Sequence, residues 1–201
     1  MTDIYRTIQH PSKGLCKEKG SKFLAFAYPV CTQEDISQKL DDLRKQYHDA
    51  RHHCYAWRLG PEKDRFRVND DGEPSGSAGK PILGQIQSRD LSDVLVVVVR
   101  YFGGTLLGVG GLIRAYRAAA SDALEQNTLM EKKVFDTIKL DFRYEQMNAV
   151  MKLIKDHQLE FEDQLFDLDC SLKLKVWKRK SEKVIREISK IEGCSLSQIE
   201  E

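Results

Sequence analysis

The sequence predicts an α+β protein of two domains, residues 1–130 and residues 133–201. Its 201 residues suffice for one large or two small domains, at about 100–200 residues per domain. Up to about residue 130, strand-like alternation and helical stripes follow one another irregularly. After residue 133 the order becomes strand, helix, strand, strand, helix, strand, which is the βαββαβ order of a ferredoxin-like domain.

Turn residues and apolar periodicity define the elements of the first half. Lys19-Gly20-Ser21 interrupts two strand-like runs, and Thr32 stands where an N-cap would. Pro81 fits the first position of a short helix. The predicted elements are a hairpin at 13–31, a helix after Thr32, strands at 52–59 and 64–69, a loop at 70–79 and a helix at 81–88.

A buried strand followed by glycines is the most distinctive local pattern. Residues 93–102 are rich in consecutive β-branched side chains, which is typical of a strand buried on both faces. Glycines crowd residues 103–111, and a helix is predicted over 111–126. Its apolar stripe would pack inward, while Arg114 and Arg117 lie on the other face.

The second half predicts one sheet with a core face and a polar face. The predicted strands are 134–143, 159–165, 168–177 and 194–199, with helices at 145–157 and 180–192. In βαββαβ order the first and third strands are central neighbours. Alternation along them predicts a single open polar patch, formed by Lys139, Asp141, Arg143, Lys173, Lys175 and Trp177.

Composition excludes several classes of protein. Lys and Arg number 32 against 31 Asp and Glu, so strong attraction to nucleic acid would have to be local. The aliphatic run Val94–Val99 is far shorter than the roughly 20 residues of a membrane-spanning helix. The first residues lack the apolar region of a secretory signal, and the five cysteines are odd in number and unpaired in sequence. These features predict a cytoplasmic protein with free thiols and no membrane partner.

The glycine-rich segment suggests a phosphate site. Glycines after a strand and before a helix expose backbone N–H groups to an anion, and neighbouring arginines add charge-assisted hydrogen bonds. An equally weighted interpretation is that the glycines only allow tight turns and close packing. The candidate phosphate-binding residues are Arg100, Gly103, Gly104, Gly108, Gly110, Gly111, Arg114 and Arg117.

Standard nucleotide fingerprints do not fit. Pro74 and Pro81 break the P-loop pattern GxxxxGK(S/T), and Ile113 stands at the third glycine of GxGxxG. The sequence therefore indicates neither a P-loop nor a Rossmann protein.

An acidic loop follows the predicted strand at 64–69. Asp70, Asp71 and Glu73 together are dense enough in oxygen ligands to hold Mg²⁺ or Ca²⁺. The favoured interpretation is an acidic turn whose carboxylates pair with nearby arginines. His52 is interpreted as a partly buried structural histidine, or else as a general base near Asp70 or Glu73. No metal, cofactor or catalytic residue is assigned.

Basic residues and a tryptophan are interleaved in residues 173–183. Such a pattern is used by single-stranded nucleic-acid surfaces, in which cations meet phosphates and rings meet bases. Residues 133–201 are nevertheless balanced in charge, which slightly favours a solvated basic face. Lys173, Lys175 and Trp177 are the candidate contacts.

Together these motifs resemble the YigZ/IMPACT family of small cytosolic proteins. The resemblance is carried by RHHCYAWRLG, by DDGEPSGSAGKPIL and by VVVVRYFGGTLLGVGGLIRAY, and it extends over essentially the whole chain. Ser77 stands where threonine is common in the family. The family loop of unknown role contains His52, Asp70, Asp71, Gly72, Glu73, Pro74, Ser75 and Gly79.

The resemblance implies specific folds and a role. The first domain should be similar to domain IV of elongation factor G and to domain 2 of ribosomal protein S5, and the second to elongation factor G domain V. Eukaryotic relatives act in translational control by competing for an activator of a stress-response kinase, and they attach this domain to a different N-terminal module. We expect this sequence to lack that module, so the kinase-pathway role is not transferred.

The sequence favours a non-enzymatic, translation-associated protein that binds RNA or the ribosome through the glycine-rich loop and basic residues. The alternative is an enzyme that acts on a phosphorylated small molecule, with the same loop as its phosphate site. A protein-interaction module is the third hypothesis.

Overall fold

The computed structural model describes residues 3–165 and 168–199. It divides into two compact units, Tyr5–Lys132 and a second unit that comprises Met1–Ile4 and Lys133–Glu201. Both units combine helices with antiparallel sheets, so the predicted α+β class is confirmed. Within the described ranges, no helix is long and apolar enough to cross a membrane.

The first unit is built on a five-stranded antiparallel sheet of order β2-β3-β6-β4-β5. β1 and β7 pair in a separate two-stranded sheet. The elements are β1 (Ile4–Ile8), β2 (Ser12–Glu18), β3 (Ser21–Pro29), α1 (Gln33–Gln46), β4 (His52–Leu59), β5 (Arg65–Asn69), α2 (Gly79–Ser88), β6 (Val94–Tyr101), α3 (Gly108–Glu125) and β7 (Leu129–Lys133).

β6 is the central strand of this sheet and is buried on both faces. Val94, Val96 and Val98 pack in the core formed with α2 and α3. The alternate residues Leu95 and Val97 pack in the core formed with α1. Helices on both sides of the sheet explain why the strand is continuously apolar rather than alternating.

The second unit contains a four-stranded antiparallel sheet of order β11-β8-β10-β9. Its central pair aligns Leu172 with Leu140 in the core and Lys173 with Lys139 on the polar face, as the alternation predicts. The elements are β8 (Phe135–Arg143), a 3₁₀ turn (Tyr144–Gln146), α4 (Met147–His157), β9 (Glu160–Leu165), β10 (Asp169–Trp177), α5 (Lys178–Ile188) and β11 (Cys194–Ile199).

Helix boundaries are where the sequence predictions were wrong. α2 begins at Gly79 rather than Pro81, because the distant Asp70 carboxylate accepts the N–H groups of Ala78 and Gly79 at its start. α3 begins at Gly108 rather than at Gly111, so Gly108 and Gly110 lie in its first turn and not in a preceding loop. α5 covers 178–188 instead of 180–192, and β7 was not predicted from the sequence.

Gly14 on β2 tests the packing of the sheet against α3. A Cβ there would lie 2.3 Å from the Ala123 backbone nitrogen, so Gly14→Ala forces backbone atoms apart. We expect the variant to lose about 2 kcal/mol of unfolding free energy, measured by urea denaturation. Gly84→Ala in α2 is the control, since a Cβ there meets nothing within 4 Å and a helical alanine stabilises by about 0.5–1 kcal/mol. Equal stability of the two variants would contradict this packing.

Candidate functional site

The site lies at the end of β6, where three neighbouring strands place their side chains side by side. The register pairs Arg100 of β6 with His52 of β4 and with Phe23 of β3. Phe23 belongs to the core on the α2 and α3 side of the sheet, so Arg100 and His52 face that side as well. This alignment brings together residues that are far apart in sequence.

A buried ion pair occupies the centre of the site. Arg100 Nη1 donates to Glu73 Oε1 over 2.6 Å, and the two side chains are only 8% and 4% exposed. Tyr116 Oη donates to the same oxygen over 2.8 Å. A buried charge is tolerated only when it is paired and hydrogen-bonded; the two charges pair with each other, although the buried Arg100 Nε has no hydrogen-bond partner among the described residues. The charge of Arg100 is therefore paired inside the protein and is not presented at the surface.

Cys54 lies next to Tyr116 in the same hydrogen-bond network, and its thiol is unreactive. Its Sγ lies 3.0 Å from the Asp70 carbonyl oxygen and 3.3 Å from Tyr116 Oη. Burial raises the pKa of the Cys54 thiol, and burial together with the neighbouring Cys54 and Glu73 raises the pKa of Tyr116. Both groups therefore remain protonated at neutral pH, and the thiol is not a nucleophile.

Asp70 fastens the acidic loop through backbone N–H groups. Its carboxylate accepts from Gly76 at 2.8 Å, Ala78 at 3.0 Å and Gly79 at 2.8 Å. Burial by itself would raise the pKa of Asp70. The three hydrogen bonds and the charge of Lys80 lower it by more than burial raises it, so the pKa lies below its usual value. Asp70 thus stabilises an acidic turn, as predicted. The loop carboxylate that pairs with an arginine is not Asp70 but Glu73, which pairs with Arg100.

Asp71 holds both histidines of β4. Its Oδ2 accepts the His53 backbone N–H over 2.6 Å, and its carbonyl oxygen lies 2.8 Å from His52 Nδ1. Because a carbonyl only accepts, His52 Nδ1 carries a proton, and in the neutral ring Nε2 is then the acceptor. Asp71 presents this carbonyl to His52 with a φ of 42°. His52 is therefore bonded to a carbonyl and not to the carboxylate that a general base would need. The other members of the loop, Gly72, Pro74 and Ser75, are exposed.

The glycines of 103–111 fall into two groups. A Cβ on Gly103 would lie 1.9 Å from the Gly20 carbonyl carbon, and the Gly103 N–H donates to Ser21 Oγ. Gly111 is buried in α3, and a Cβ on it would lie 2.9 Å from Leu107 Cβ. These two glycines serve close packing, as the structural interpretation predicts. The remaining members are exposed and less crowded, and they are Gly104, Gly108 and Gly110.

A groove between α2 and α3 carries two exposed cations. It has a volume of about 480 Å³, and Lys80 and Arg117 line it together with Gly76 and Gln85. No carboxylate is among its lining residues in the part of the chain that the structure describes. Arg114 is also exposed on α3. Lys80 is absent from the residues predicted from the sequence, although its position directly after the acidic loop is a signal that could have identified it.

The predicted basic contacts of the second unit are compensated by nearby carboxylates. Lys173 Nζ lies 2.6 Å from Asp163, and Lys175 pairs with Glu162. Trp177 Nε1 donates to the Asp3 carbonyl over 3.2 Å. The surface therefore presents alternating charge rather than a purely cationic face.

Comparisons with known proteins identify relatives along most of the chain. The family model for the Impact N-terminal domain matches residues 19–124. An "IMPACT family member" of Haemophilus influenzae is 37% identical over 176 residues, covering 85% of this chain and 82% of its own length. "IMPACT family member YigZ" of Escherichia coli is 37% identical over 138 residues, covering 68% of each chain.

One solved structure is similar over the full length. A crystal structure described only as that of a hypothetical protein superposes with a TM-score of 0.79. Its sequence is 28% identical, and the alignment covers 100% of both chains. The arrangement of elements described above is therefore shared with a crystallised protein.

The buried ion pair predicts a large cost for neutralising one partner. Glu73→Gln keeps the shape but leaves Arg100 charged and buried, so we expect about 3 kcal/mol of lost stability in urea denaturation. Glu182→Gln is the matched control, because its pair with Arg186 is exposed and contributes a few tenths of a kcal/mol. If both variants unfold at the same urea concentration, the pair does not stabilise the fold.

The lowered pKa of Asp70 predicts that its contribution to the stability of the fold depends on pH. Its folded pKa lies below the unfolded value of about 3.9, so its stabilisation is complete at neutral pH and is lost as pH falls through the folded pKa. Asp70→Asn should lower the unfolding temperature at pH 7, and the gap to wild type should narrow below about pH 4. The exposed Asp64→Asn is the control, and a gap independent of pH would contradict this role.

Proposed function

The chain belongs to the IMPACT family, and from that premise we propose that it is a translation-associated regulatory protein that binds RNA or the ribosome. The resemblance seen in its motifs supports a role in translation, because it implies folds similar to elongation factor G domains IV and V. The ferredoxin-like order of the second unit fits the same proposal.

The groove between α2 and α3 is the observation that carries this proposal. Lys80 and Arg117 line it from two different helices, and its described lining contains no carboxylate. Two cations that face one concave surface without a competing acid suit the phosphates of a nucleic acid. The groove is local, which agrees with a formal net charge of only +1.

The neighbouring part of α3 extends the proposed phosphate surface. Gly104, Gly108 and Gly110 are exposed, and the start of a helix favours an anion through its unpaired N–H groups. Arg114 adds an exposed cation one turn later. In this proposal the phosphates contact Lys80, Arg114 and Arg117 directly, and Arg100 positions the loop from within.

The basic residues of the second unit belong to the proposal as a weaker contact surface. Lys173 and Lys175 are partly exposed but paired with carboxylates, so a phosphate would have to exchange with Asp163 and Glu162. Such solvent-accessible pairs contribute little and exchange readily.

Cosedimentation with ribosomes and their subunits at several salt concentrations tests the proposal. We expect wild-type binding to weaken as salt rises, because phosphate contacts release counterions. Lys80→Gln combined with Arg117→Gln should weaken binding at low salt and reduce the slope of log affinity against log salt by about one to two.

The matched control removes two lysines from the opposite side of the same sheet. Lys39→Gln combined with Lys45→Gln on α1 changes net charge equally, and its binding should equal that of wild type. Equal losses in both double variants would indicate a general charge effect. Absence of binding at low salt would overturn the proposal in favour of an enzyme for a phosphorylated small molecule.

A further inference from the structure

A second cavity of the first unit adjoins the buried ion pair and has a different chemistry from the groove. Its volume is about 520 Å³, and its lining includes Arg51, His52, Arg100, Phe102 and Leu106. Phe102 is 55% exposed and Leu106 84% exposed, although both are large apolar side chains. An exposed aromatic ring at the edge of a polar cavity is a feature that the fold itself does not require.

The Phe102 ring packs against the guanidinium group of Arg100. The Arg100 guanidinium carbon lies 5.7 Å from the centre of the Phe102 ring and 5.4 Å from that of Phe23. Glu73 holds the guanidinium in place. One side of the Phe102 ring is thus supported, while more than half of the residue remains open to a planar group that stacks on it.

The hydrogen-bonding groups of the cavity suit the edge of a base. His52 Nε2 is an acceptor, because Nδ1 donates to the Asp71 carbonyl. Among the described residues nothing donates to His52 Nε2, and Arg51 forms no ion pair with them. Uracil has an imino N–H flanked by two carbonyl oxygens. The N–H matches the His52 acceptor, and a carbonyl oxygen matches the Arg51 guanidinium, which lines the same cavity.

The cavity carries charges of both signs, because Arg51 and Asp49 both line it. Asp49 is among the lining residues, and its carboxylate accepts a hydrogen bond from the Tyr101 hydroxyl over 2.7 Å. The Asp49 charge offsets that of Arg51, so the cavity suits a neutral base, whereas the groove with Lys80 and Arg117 and no described carboxylate suits an anion. Base and phosphate sites would adjoin the same acidic loop, since Gly76 lines the groove and Gly72 lies against the His52 ring.

We propose that this cavity binds one unpaired nucleobase of single-stranded RNA, stacked on Phe102 and donating an N–H to His52 Nε2. The inference rests on the proposed RNA-binding function and adds the base site to its phosphate site. Binding would then depend on bases as well as on the sugar-phosphate backbone, with uracil as a fitting base.

Fluorescence anisotropy with two labelled probes separates the two sites. One probe is a twelve-nucleotide oligouridylate, and the other has the same length and charge but no bases. We expect the wild-type protein to bind oligouridylate about tenfold more tightly, because one stacked base contributes a factor of this order. Phe102→Ala should abolish the preference and leave the affinity for the abasic probe unchanged.

Two variants serve as controls. Phe102→Tyr keeps an aromatic ring and should keep the preference. Phe66→Ala removes another exposed phenylalanine of the same unit and should keep it as well. Equal affinity of wild type for both probes, or a preference that survives Phe102→Ala, would overturn the base site and leave phosphate binding intact. Failure of both probes to bind would overturn the proposed function together with this inference.

Discussion

The buried pair of Arg100 and Glu73 is the interaction on which the site depends. It joins the central strand to the acidic loop across 27 residues of sequence, and Tyr116 attaches α3 to the same carboxylate across 43. An isolated charge in such a place would cost several kcal/mol, so strand, loop and helix must be in register for either charge to be buried. The pair therefore stabilises one specific arrangement of three separate elements.

This constraint separates the motif residues into two groups with different tasks. Asp70, Asp71, Glu73 and Arg100 point inward and hold the loop against β4, β6 and α2. The surface they support consists of other groups, and these are Lys80, Arg114, Arg117, Gly104 and Phe102. A charged motif is therefore not by itself a binding surface, because its charged side chains can be paired with other groups inside the protein.

Predictions from local pattern succeeded where burial repeats at a fixed spacing. The valine-rich run predicts a strand covered on both faces, and the structure places a helical layer on each side of β6. The position of Thr32 predicts an N-cap, and Thr32 forms a full capping box with Asp35. The start of α2 could not be predicted in this way, because Asp70, which caps it, lies outside the helix and its preceding turn.

The sequence alone determined the α+β class, the order of most elements and the family motifs, because these depend on residue type and on spacing along the chain. Only the tertiary structure decided which motif residues face solvent. The partners of Arg100 and His52 come from a loop and a helix distant in sequence, and no periodicity encodes that meeting. Hydrogen bonds and desolvation act in space, so the direction of a charge is decided only when the elements have packed.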